Sequence, residues 1–173
     1  MNKKIVISFP GGRGYEIPLL YFGSKHFEDK GYEKIFVNHP ASGEKDFDSL
    51  LENAGKVVES IDFREYDDVV FIGKSIGTLI ACRIKEKYNI PASLILFTPV
   101  EGALPYINKD NNILLVAAAE KDRHWDTKIL QEHCKKVNVK CYVEPNIGHR
   151  MEVMNDLCRN LEVIRNVIEC LNK

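Results

Sequence analysis

The stretch Val69-Val70-Phe71-Ile72-Gly73-Lys74-Ser75-Ile76-Gly77 changes character in its middle. Four β-branched or aromatic residues predict a buried strand. Glycines then stand two places before and two places after a serine. From Ile76 to Tyr88 the apolar residues return at helical spacing. A strand that turns abruptly into a helix crowds its own backbone, so small residues are needed on both sides of the apex. Strand, tight turn and helix together form the repeating unit of a parallel α/β sheet.

The same alternation runs outward in both directions. Upstream, Ile5 to Phe9 reads as a strand ending in Pro10-Gly11-Gly12, and an apolar segment from Tyr15 to Lys30 closes at Gly31, a helix-ending signal. Ile35-Phe36-Val37 is a second strand, stopped by Asn38-His39-Pro40. Phe47, Leu50, Leu51, Ala54, Val57, Val58 and Ile61 follow at helical spacing, with Asp46 as N-cap. Downstream, Leu94 to Phe97, Ile113 to Val116 and Val139 to Val143 are the fourth, fifth and sixth strands. Thr127 to Lys136 and Met151 to Leu171 are helices. Met154, Leu157, Leu161, Ile164, Ile168 and Leu171 should pack the last helix on the sheet. The expected architecture is a three-layer α/β/α sandwich around a mainly parallel six-stranded sheet. Thr98 to Asn112 is the longest irregular stretch, suited to a small lid or pocket wall. With no repeat or linker, residues 1–173 read as a single domain.

Composition narrows the function classes. The 173 residues carry 24 basic and 25 acidic side chains, a net charge of -1, so no basic excess exists to replace phosphate counterions on nucleic acid. Cys82, Cys134, Cys141, Cys158 and Cys170 are odd in number and contain no Cys-x-x-Cys pair, which speaks against a disulfide framework or a zinc site. Idle thiols in a reducing compartment, no signal peptide and no membrane span make a cytoplasmic location the expectation. No metal or cofactor motif is present, so neither is expected.

In a parallel sheet, ligands bind beyond the carboxyl ends of the strands, and chemistry-bearing residues gather there in this sequence. Ser75 follows the third strand, Asp122 lies in Glu120-Lys121-Asp122 after the fifth, and His149 follows Gly148 after the sixth. A serine hydroxyl is a weak nucleophile that needs a histidine base, and the base needs an acid to hold its tautomer and balance its cation. The amide of Ile76 at the helix start could hold an oxyanion. Asp126 and Glu101 are alternative acids. Arg13, His39, Tyr106, His124 and Trp125 are candidate substrate-binding residues. Lys74 is expected to pack its stem and reach water, and His26 and His133 are expected at the surface. Gly73-Lys74-Ser75 also matches the end of a P-loop, but the loop's glycine would fall at Asp68 and its phosphate cradle on the apolar strand Val69 to Ile72.

Phe9-Pro10-Gly11-Gly12-Arg13-Gly14, Gly73-Lys74-Ser75-Ile76-Gly77, Glu120-Lys121-Asp122 and Gly148-His149, in that order, resemble a small α/β-hydrolase of the serine esterase or dienelactone-hydrolase type. The resemblance covers nearly the whole chain. It implies a minimal form of that fold, with strand order 2-1-3-4-5-6 and without the amino-terminal antiparallel strands or a cap domain. It also implies Ser75 as nucleophile, Asp122 as orienting acid, His149 as base, and the amides of Gly12 and Ile76 as the oxyanion hole. The expected activity is hydrolysis of a small carboxylic ester or thioester. The alternatives are a binding protein on the same fold and an acyltransferase with the same triad. Pro10 stands where many relatives have histidine, and the substrate class does not carry over.

Overall fold

Because helices cover both faces of the sheet, its central strands are apolar at successive positions rather than at alternate ones. In the computed structural model, which describes residues 3–12, 17–38 and 46–172, strands β1 (Lys4–Phe9), β2 (Glu33–Phe36), β3 (Asp68–Lys74), β4 (Ser93–Phe97), β5 (Ile113–Ala119) and β6 (Cys141–Glu144) form one sheet. Its order is β2-β1-β3-β4-β5-β6, and every pairing is parallel. Fold class and strand order are those expected from the sequence.

The pleat sends neighbouring residues to opposite sides. Ile5, Ile7, Phe9, Val69, Phe71, Leu94 and Leu96 pack beneath α2 (Phe47–Glu59), α3 (Ile76–Lys87) and α4 (Thr127–Lys136). Val6, Val70, Ile72, Ile95 and Phe97 pack beneath α1 (Pro18–Glu28) and α5 (Leu157–Cys170). Asp46 caps α2 by accepting from the amide of Ser49 at 2.9 Å. All five cysteines are free thiols. Among the described residues no helix is long and apolar enough to cross a membrane.

The last helix departs from its expected register. It starts at Leu157 rather than Met151, capped by Asp156, while Met151 and Asn155 adopt positive φ. Met154, Leu157 and Leu161 are exposed, and the buried residues of α5 are Val163 and Val167. The cause is Glu144, a carboxylate buried at the end of β6. A buried charge must be paired. Arg159 and the hydroxyl of Tyr142 hydrogen-bond to it, and Asn166 approaches at 3.4 Å. Facing Arg159 and Asn166 inward brings Val163 and Val167 with them at helical spacing and turns Leu157 and Leu161 outward.

The segment from Thr98 to Asn112 forms two short 3₁₀ turns, Glu101–Tyr106 and Lys109–Asn111. Ala103 and Ile107 are buried, so this piece is a packed connection between β4 and β5, not an inserted cap. His26 and His133 are half-buried rather than at the surface. Nε2 of His133 lies 2.7 Å from the carbonyl of Ile107.

Candidate active site

All strands run the same way, so their carboxyl ends share one edge, and the turns after β1, β3, β5 and β6 meet there. Ser75 sits at the apex of the β3–α3 turn with φ 55° and ψ −126°, a strained conformation for a residue with a side chain. Two glycines permit it. A Cβ on Gly73 would lie 2.6 Å from Cα of Thr78, and one on Gly77 would lie 2.1 Å from the carbonyl oxygen of Phe9. The turn after β1 also passes close by, since a Cβ on Gly11 would be 3.0 Å from Cβ of Ser75. Close packing of two glycine-bearing turns thus fixes the serine hydroxyl over the sheet edge.

The structure brings Ser75, His149 and Asp122 together. Nε2 of His149 is 2.7 Å from Oγ of Ser75, and Nδ1 is 2.6 Å from Oδ2 of Asp122. The carboxylate can only accept from Nδ1–H, which leaves Nε2 as acceptor for the serine hydroxyl. The other Asp122 oxygen accepts from the amide of His124 at 2.9 Å. The Asp122 side chain is only 2% exposed. Burial pushes its carboxyl up, but the hydrogen bonds from the His149 ring and the His124 backbone amide outweigh that and hold it below the ordinary value. The alternative acids lie elsewhere. Asp126 caps α4 by accepting from the amide of Lys128, and Glu101 is exposed at the start of a 3₁₀ turn.

A cavity of about 530 Å³ opens on Ser75 and His149, and its wall includes Gly11, Gly12, Ile17, Lys74, His124 and Met154. The position of a Cβ on Gly12 meets nothing within 4 Å, so this turn is open at Gly12. Ile76 is the first residue of α3, and its amide lies ahead of the helical hydrogen-bond ladder. His124 stacks edge-on against His149, with ring centroids 4.3 Å apart. Tyr106 and Trp125 do not line this cavity. The Tyr106 hydroxyl donates to Glu86 at 3.1 Å, and the Trp125 indole donates to the carbonyl of Pro99 at 2.8 Å. Arg13 and His39 lie outside the described residues. Asp122, His124 and His149 offer metal-ligand atoms within 4.8 Å of one another. Two of those residues are already committed to the hydrogen bonds with each other and with Ser75.

Lys74 contradicts its expected course to water. It is 1% exposed, and its ammonium donates to the hydroxyl of Thr98 and, at 2.8 Å, to the carbonyl of His149. One side chain therefore ties the end of β3 to the end of β4 and to the backbone of the histidine loop. Position 74 shares a face with Val70 and Ile72, so strand alternation carried through the turn is the signal that places it inside. Burial holds its amine down at about 8, against an ordinary value of 10.5, while Asp122 and Glu152 favour the cation. Between those two values the folded chain binds fewer protons than the unfolded chain, so this residue's contribution to stability rises with pH across that window. Wild type should gain on the order of 3 kcal/mol relative to Lys74→Met between pH 7 and pH 10.5, measured by urea unfolding at each pH. A difference independent of pH would contradict this assignment.

No protein-family model and no curated protein matches the chain. Solved structures do resemble it. An alpha-beta serine hydrolase homologue from Coxiella burnetii superposes with a TM-score of 0.73 at 14% identity, over 98% of this chain and 86% of that one. A serine hydrolase without lid from Xanthomonas campestris gives 0.69 at 14% identity, over 98% and 78%. Est1E from Butyrivibrio proteoclasticus gives 0.64 at 14% identity, over 99% and 90%. The chain has the α/β-hydrolase fold, without a cap among the described residues. At such identities the likeness is one of fold, and the chemistry must be argued from the site.

Proposed function

We propose that the protein is a serine hydrolase cleaving a small carboxylic ester or thioester through an acyl-serine intermediate. The observation that carries this reading is the hydrogen-bonded line from Asp122 through His149 to Ser75, opening on a cavity of small-molecule size. As Oγ of Ser75 attacks the substrate carbonyl, its proton passes to Nε2 of His149. Asp122 holds the ring in the correct tautomer and balances the imidazolium. The amides of Ile76 and Gly12 receive the oxyanion. Collapse breaks the carbonyl–oxygen or carbonyl–sulfur bond, and the alcohol or thiol leaves with the proton held by His149. Water then gives a proton to His149 and attacks the acyl-serine. The carboxylic acid departs, and Ser75 regains its proton.

The test is turnover of 4-nitrophenyl acetate and an acetyl thioester, with peptide mapping by mass spectrometry of quenched, digested protein. The expected result is hydrolysis with an acetyl adduct on the peptide containing Ser75. Hydrolysis that survives His149→Ala, or failure to turn over any of a panel of esters and thioesters, would overturn the reading.

A further inference from the structure

Arginine pairing divides the described residues into two groups. Arg64 pairs with Asp62, Arg159 with Glu144 and Glu162, and Arg165 with Glu169, while Arg83 lies over the ring of Tyr106. Arg123 and Arg150 have no carboxylate, carbonyl or ring partner among the described residues. These two line the cavity over Ser75. Each immediately follows a member of the hydrogen-bonded line, Arg123 after Asp122 and Arg150 after His149, so the two reach the cavity from different loops. Charged side chains of the wall are Lys74, Arg123 and Arg150 against Glu152 alone. Ile17 and Met154 supply apolar surface in the same wall.

We infer that Arg123 and Arg150 form an anion subsite, and that the esters or thioesters taken by this site carry a carboxylate or phosphate at the end of a short apolar spacer. The inference rests on the reading of Ser75 as nucleophile and adds to it the substrate's charge. Guanidinium groups recognise carboxylate and phosphate oxygens through paired N–H donors, and an arginine left free of internal carboxylates keeps those donors for a ligand. The apolar residues fit the spacer between the scissile carbonyl and the anion. The preference should be moderate, because both guanidinium groups stand in water and an exposed ion pair is screened.

The test compares paired esters in which a free carboxylate in one is a neutral methyl ester in the other. The acyl arm sets the mono-4-nitrophenyl ester of adipic acid against its methyl ester. The leaving-group arm sets 4-acetoxybenzoate against methyl 4-acetoxybenzoate. In at least one arm, kcat/KM for the anionic ester should exceed that for the neutral one by about tenfold at low salt, a difference of ~1.4 kcal/mol, and the arm that responds tells which side of the carbonyl the anion lies on. The ratio should fall to about one in the Arg123→Gln/Arg150→Gln protein, and it should shrink as ionic strength rises. Wild type that hydrolyses the neutral esters as fast as, or faster than, both anionic ones would overturn the subsite while leaving the hydrolase reading standing. A ratio unchanged by the double substitution would also overturn it. If no ester of either charge is turned over, the reading of Ser75 fails and the subsite falls with it.

Discussion

Ser75→Ala should lower kcat/KM for any ester the protein hydrolyses by on the order of 10⁴-fold, with the folded state intact. The substitution removes one hydroxyl and its 2.7 Å hydrogen bond to His149. The strained backbone at φ 55° is unchanged, because it is imposed by the packing of Gly73 and Gly77 rather than by the side chain. Unfolding free energy should therefore move by no more than about 0.5 kcal/mol. His149→Ala should cost a comparable factor in rate. The double variant should be little worse than either, since a nucleophile and its base act as a unit. Steady-state kinetics on the three proteins, with urea unfolding as control, checks this. Losses that multiply in the double variant would mean that the two residues act separately.

Gly77→Ala should be the most damaging of the small substitutions to stability. The added methyl would sit 2.1 Å from the carbonyl oxygen of Phe9 and 2.6 Å from that of Pro10. Both obstacles are backbone, and Phe9 is fully buried at the end of β1 between β2 and β3, so neither can swing aside. Relief would require moving α3 off the sheet, where Ile80, Ala81 and Ile84 are buried. A loss of more than about 4 kcal/mol is expected, a large share of the 5–15 kcal/mol (roughly) that holds a typical domain together. Gly12→Ala is the control, because its methyl would meet nothing within 4 Å. It should unfold within about 0.5 kcal/mol of wild type. Equal unfolding midpoints for the two variants would contradict the close-packed turn described above.

The central strands were legible because a sheet covered on both faces favours near-continuous apolar runs, and runs such as Val69 to Ile72 have few other uses. The serine turn was legible because strain there requires glycine at 73 and 77, leaving a pattern in one short stretch. Proximity of Ser75, Asp122 and His149 could be anticipated only through strand order, since the residues are far apart in sequence and meet at one sheet edge. Apolar periodicity failed at α5 because a buried Glu144 set the helix's rotation, and no helical pattern records a charge on another element. The burial of Lys74 is illegible for a related reason. Its burial depends on Thr98 and the carbonyl of His149, both supplied by other strand ends. That Arg123 and Arg150 have no carboxylate partner among the described residues is equally invisible in sequence, because pairing is a property of neighbours in space.

The central claim, that Ser75 is activated by His149, is tested most directly by labelling with a fluorophosphonate probe, read by mass spectrometry of the modified peptide. Wild type should be labelled on Ser75. Ser75→Ala should not be labelled, and His149→Ala should react far more slowly. Folded wild type that stays unlabelled, or labels elsewhere at the same rate in all three proteins, would contradict the claim.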